Sequence, residues 1–122
     1  MAEKIIAVDT IQYGQVRVPV QVYGPLGVQP HIYRDGKKPR LSTYSYGIVH
    51  LASARLITND GWTLDQARAL AKELSRLDRW NKIPADGEKI EVRRAVGEPF
   101  RNEVMRILAR HRERRRRERS HA

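Results

Sequence analysis

The segment from Thr63 to Leu77 constrains this chain more than any other. Thr63-Leu64-Asp65-Gln66 has the form of a capping box, in which the threonine hydroxyl accepts from an orphan helix N–H and the glutamine reaches back. Leu64, Ala67, Leu70, Ala71, Leu74 and Leu77 follow at spacings of three and four, so one face of the helix is apolar. Asp65, Arg68, Lys72, Glu73, Arg76 and Arg79 fall outside that stripe. A helix of this kind must lay its stripe on another element. Trp62 is placed to staple its start onto Gln66 or Ala67, and Trp80 to close the core at its end. Pro84 prevents much extension.

The partner surface is a sheet. Val16, Val18, Val20 and Val22 recur at period two, with Arg17, Pro19 and Gln21 between them, which is the pattern of a strand with one buried face. With Lys4 to Tyr13 and the Gly14 connection they predict an antiparallel hairpin. Pro19 lacks an N–H, so that strand belongs at an edge or at a bulge. An open edge of this kind admits pairing with a second copy, a homodimer. Gly24-Pro25-Leu26-Gly27 reads as a turn, His31-Ile32-Tyr33 as a short strand, and Asp35 to Pro39 as an exposed basic loop. Ile48 to Leu51 and Arg55 to Thr58 form a second hairpin around Ala52-Ser53-Ala54, closed by Asn59-Asp60-Gly61.

Asp86-Gly87 predicts a turn and Lys89 to Val96 a later strand, from the alternation of Ile90, Val92 and Val96. Pro99 opens a final helix near its first position, where a missing N–H costs nothing. Phe100, Val104, Ile107, Leu108 and His111 are its inner stripe. Polar residues continue beyond the stripe, so the last turns are expected to project or fray. The order gives an α+β fold: a mainly antiparallel sheet of two hairpins plus a later strand, one amphipathic helix packed on it, and a basic C-terminal helix. The length of 122 residues suits one domain, taken as 1–109, with an arginine-rich extension over 110–122.

The formal charge is +10, from 24 Lys+Arg against 14 Asp+Glu. It is unevenly spread: residues 100–122 hold nine basic and three acidic side chains. Such a balance favours polyanions, acidic proteins or anionic membrane surfaces. There are no cysteines, which excludes disulfides and thiolate chemistry. No apolar run approaches a membrane span, and Met1 to Ile6 lacks a signal-peptide layout, so the expected location is cytoplasmic.

The arginine run carries the functional reading. Arg110, Arg112, Arg114, Arg115, Arg116, Arg117 and Arg119 fall within ten residues, with Arg106 just ahead. Guanidinium groups stay charged and make forked hydrogen bonds to phosphate, so the run can track a nucleic-acid backbone. Competing readings are a solvated tail whose Glu113 and Glu118 pair locally, or an arm docking on an acidic protein. A second basic group, Lys37, Lys38 and Arg40 with Arg34, interleaves with Tyr33, Tyr44 and Tyr46, whose rings could stack on unpaired bases. Arg17, Arg93 and Arg94 are a weaker extension of it.

Catalytic readings find little support. His31, His50, His111 and His121 show no close metal-ligand spacing. His50 could serve as a general base in a cleft, or be a strand histidine with a satisfied partner. Asp86, Glu88, Glu91 and Arg93 do not make a converging carboxylate set for divalent cations. No phosphate-cradling loop is present, and Ser53 has no nucleophile-elbow setting. The expectation is a non-enzymatic nucleic-acid-binding protein of DNA or RNA, with no metal and no cofactor. The alternative is an interaction module, accessory or inhibitory and of a kind found in phages and mobile elements, docking on an acidic partner.

Overall fold

The alternating valines form the second strand of a five-stranded antiparallel sheet. A computed structural model describes residues 3–10, 13–84, 94 and 96–120 of the chain. Strands β1 (Glu3–Thr10), β2 (Gly14–Tyr23), β3 (Leu26–Asp35), β4 (Lys38–His50) and β5 (Arg55–Trp62) lie side by side in chain order. Helix α1 (Leu64–Leu74) follows at once, then a 3-10 turn at Trp80–Lys82, then helix α2 (Glu98–Ser120). The architecture is α+β, with both helices contributing to one core against the sheet.

That core joins Tyr23, Leu26, Val28, Ile48 and Trp62 of the sheet to Ala67, Leu70, Ala71 and Leu74 of α1 and to Phe100, Ile107 and Leu108 of α2. The capping box is formed as expected: the Gln66 N–H donates to Thr63 Oγ1 and the Thr63 N–H to Gln66 Oε1. Burying Leu70 and Leu74 contributes about 1.5–3 kcal/mol each. Trp62 and Trp80 are both buried, the first donating to Thr58 Oγ1 at 3.2 Å and the second to the Leu74 carbonyl at 2.7 Å. Ile6, Val20 and Val49 make a smaller cluster on the other face of the sheet.

The valine strand is second in the sheet order, but at Pro19 its side toward β3 is open, an edge as expected. It pairs with β1 along most of its length and with β3 only over Gln21–Tyr23. Pro19 lies in the part paired with β1 alone, so its missing N–H interrupts no ladder toward β3. The outer edges are β1 and β5. The predicted basic loop is also shorter than its composition suggested, because β3 and β4 pair as far as Asp35 and Lys38. Lys38 and Arg40 are therefore strand residues.

Asn59-Asp60-Gly61 does not close a hairpin. It lies inside β5 where the register with β4 slips between Tyr46–Trp62 and Ile48–Thr58, so the extra residues bulge outward. Gly61 has φ 73°, a left-handed value that a side chain would strain. Opposite the bulge, a Cβ on Gly47 would sit 2.7 Å from the Thr58 carbonyl oxygen. Backbone cannot yield there as a flexible side chain would, and Gly47→Ala is expected to cost about 2 kcal/mol. A urea midpoint unchanged by that substitution would show that the bulge gives way freely.

The later strand is not extended at its end. Arg94 and Val96 are helical, and Val92 and Val96, four apart, fit a helical face as well as an alternating one. The remainder of that segment, the Asp86-Gly87 turn, Glu88, Glu91, Arg93 and His121 lie outside the described residues.

Candidate nucleic-acid interface

Helix α2 starts after Gly97 and runs unbroken through the arginine segment to Ser120. Its first half docks as its stripe predicts: Phe100 meets the Trp80 ring edge-on at 4.8 Å between centroids, and Ile107 and Leu108 are buried. The second half was expected to project, but its contacts with the body continue to Glu118. His111 Nε2 lies 2.9 Å from Glu73 Oε1, and the Arg110 guanidinium pairs with the same carboxylate. Arg112 Nε donates to Asp60 Oδ2 at 2.6 Å. The Arg115 guanidinium lies over the Trp62 ring, 4.2 Å from its centroid, and donates to the Asp60 carbonyl at 3.0 Å. Gln66 Nε2 reaches Glu118 Oε2 at 3.4 Å.

The bulge in β5 has a purpose in this arrangement. It brings both the carboxylate and the carbonyl of Asp60 to α2, where they hold two arginines one turn apart. Burial pushes the Arg115 pKa down from its ordinary value, and the nearby Arg119 and Arg112 push the same way against Asp60. Stacking on a tryptophan face favours a cation by about 0.5–2 kcal/mol. Removing the partner carboxylate at Asp60 would leave a crowd of like charges.

The arginines thus divide by role. Arg110, Arg112 and Arg115 hold the helix to the body. Arg106 pairs with Glu103 three residues back, which holds the Glu103 carboxyl below its usual range. Arg116 and Arg117 both face Glu113, at 3.4 and 3.6 Å. Arg114 and Arg119 are exposed. With 3.6 residues per turn, these positions sort onto two flanks. Arg106, Arg110, Arg114 and Arg117 follow one another along the side toward Glu73 of α1. Arg101, Arg112 and Arg119 follow along the side toward Asp60. Asn102, Met105, Ala109, Glu113 and Arg116 form the outward ridge between them.

The second basic group sits apart, at the tip of the β3–β4 hairpin. Its polar contacts are local: Arg40 Nε to Asp35 Oδ2 at 3.2 Å, and Arg34 Nε to the Gly36 carbonyl at 2.7 Å. Lys37 and Lys38 are exposed there. The three tyrosines are not equivalent. Tyr33 and Tyr44 are exposed, Tyr44 to 78%. Tyr46 is half-buried: it packs against the main core opposite Trp62, and its hydroxyl donates to the Thr43 carbonyl.

His50 is buried in the wall of a pocket that it lines with Lys4, Pro25 and Trp80. Its Nε2–H donates to the Trp80 carbonyl at 2.9 Å, and Nδ1 accepts from the Ser53 hydroxyl at 2.7 Å. The ring fastens the β4–β5 connection to the turn that carries Trp80. Burial pushes the His50 pKa below its ordinary value against the Trp80 carbonyl, which pulls it up. His111 is also lowered, by burial first and then by Arg114 and Arg110; Glu73 attracts its proton but shares its charge with Arg110. Both imidazoles therefore resist protonation in the folded state, while the unfolded chain takes up protons near pH 6.5. Where the unfolded state binds more protons, stability rises with pH. It is thus complete above about pH 7 and declines as pH falls through about 6.5 toward the depressed folded values. A lower urea midpoint at pH 5.5 than at 7.5 is expected, and an equal or higher one would contradict it.

Asp60, Glu73 and Trp62 are the positioning residues that sequence reading missed. The only local signal was the Asn-Asp-Gly tripeptide at 59–61, which marks a backbone irregularity without saying what it presents. Among the described residues no group of three or more histidine or carboxylate side chains gathers in a form that could hold a metal ion, and no helix is long and apolar enough to cross a membrane. Comparison with known proteins gives no match to any family model, curated protein or solved structure.

Proposed function

We propose that this chain is a non-enzymatic, cytoplasmic nucleic-acid-binding protein that presents its arginines on a preformed helix. The observation that carries the reading is the docking of α2 by one face, through His111, Arg112 and Arg115, which leaves arginines along both of its flanks. A helix fixed in this way has already lost the entropy that a disordered arginine tail would lose on binding. Lys37, Lys38 and Arg40 at the hairpin tip are a secondary contact, with Tyr33 and Tyr44 beside them. A second copy, if the protein pairs with itself, would add along β1, whose outer edge bonds to no strand among the described residues.

Binding of this type releases counterions. The affinity of the full chain for labelled nucleic acid, followed by fluorescence anisotropy, is expected to fall steeply between 50 and 200 mM salt. The log–log slope approaches about 0.9 per phosphate contacted on duplex DNA. Absence of binding at the lower salt would remove this reading and put an acidic protein partner in its place.

A further inference from the structure

We infer that α2 seats in the major groove of B-form duplex DNA, its ridge toward the groove floor and an arginine flank against each strand. The inference rests on the nucleic-acid reading above and names its substrate class. The geometry that points to it is the spread of exposed arginines to both sides of the helix: Arg106, Arg114 and Arg117 on one, Arg101 and Arg119 on the other, with Arg116 on the ridge between. A helix gripping a flat or single-stranded phosphate track would use one face. A helix lying between two phosphate walls needs cations on both sides.

The dimensions agree. An α-helix with side chains is about 10–12 Å across. The B-form major groove is about 12 Å wide and about 8.5 Å deep, and admits a helix. From Arg106 to Arg119 the helix axis advances about 20 Å, enough to pass several phosphates on each strand. The ridge residues suit the floor: Ala109 is small, and Asn102 and Met105 are uncharged. The A-form major groove of duplex RNA is deep and narrow. A helix whose fourth side is held by Glu73, Asp60 and Trp62 cannot sink into it. Single strands are bound by interleaving cations with aromatic platforms. Between Arg101 and Arg119 the sequence has no Phe, Tyr or Trp, so the helix itself offers no such platform.

Glu113 opposes the fit. It stands on the ridge between Arg116 and Arg117 and pairs with both. In a groove it would carry a negative charge toward the DNA. Glu113→Gln should therefore tighten binding several-fold, an effect a merely structural role would not produce.

The test uses the full chain with three labelled probes at one salt concentration: a DNA duplex of about 20 base pairs, the RNA duplex of the same sequence, and the DNA single strand. Expected is at least tenfold tighter binding to duplex DNA, little change on a second, unrelated DNA sequence, and a several-fold gain with Glu113→Gln. Bulky glucosyl groups on cytosine C5, which fill the major groove, should abolish the preference. Equal or tighter binding to the RNA duplex or the single strand would overturn the inference and leave the nucleic-acid reading standing. Indifference to the groove block, or weaker or unchanged binding by Glu113→Gln, would likewise overturn the seating. Failure to bind any probe would remove both.

Discussion

Trp62→Ala is expected to cost about 4 kcal/mol, near the upper range for removing a large buried aromatic side chain. The ring is fully buried, packs in the core with Ala67 and α1, and bears the Arg115 guanidinium on its outer face. Its loss opens a cavity under the helix start and takes away the platform that orients the end of α2. For a domain whose total stability lies in the usual range of about 5–15 kcal/mol, that is a large fraction. Urea denaturation measures it directly. A loss below about 1 kcal/mol would mean that the sheet and α1 hold together without the ring.

The second large effect separates charge from folding. Deleting residues 110–122 removes the arginine run together with His111, Arg112 and Arg115, so it takes away the contacts of the second half of α2 with the body as well as abolishing binding. A triple substitution of Arg114, Arg117 and Arg119 to Gln leaves the docking contacts in place. It is expected to keep the urea midpoint within about 0.5 kcal/mol of the parent, because these side chains are exposed. Affinity for duplex DNA should fall by about 100-fold at moderate salt, with the log–log slope reduced by nearly three if each arginine meets one phosphate. Unchanged affinity in the triple variant, with loss on deletion, would show that the exposed arginines are not the binding element.

The elements that could be read from the sequence are those whose signal is local. The Thr63 capping box, the stripe from Leu64 to Leu77, the alternating valines and the Pro99 helix start each depend on neighbours within a few residues. Where one residue pattern serves two structures, reading failed. Asn-Asp-Gly suits a hairpin turn or a bulge, since both need a backbone that turns left at glycine, and the register with β4 decided it. Val92 and Val96 fit a strand or a helix equally well. The composition of α2 exposed its charge but not its division of labour. Arg110, Arg112 and Arg115 meet partners contributed by α1 and β5, far back in the chain, and only tertiary contact tells them from Arg114 and Arg119.

The strand order has a kinetic consequence. Because every strand lies beside its neighbours in sequence, and α1 follows β5 without a gap, the sheet and first helix assemble from short-range contacts, which favours rapid folding. Among the described elements, only α2 must return over a long stretch of chain to reach Asp60, Trp62 and Glu73. Its docking therefore belongs after the rate-limiting barrier. Substitutions at His111, Arg112 or Arg115 should accelerate unfolding while leaving the refolding rate nearly unchanged. The arginine helix is the last part to settle and the first to come loose.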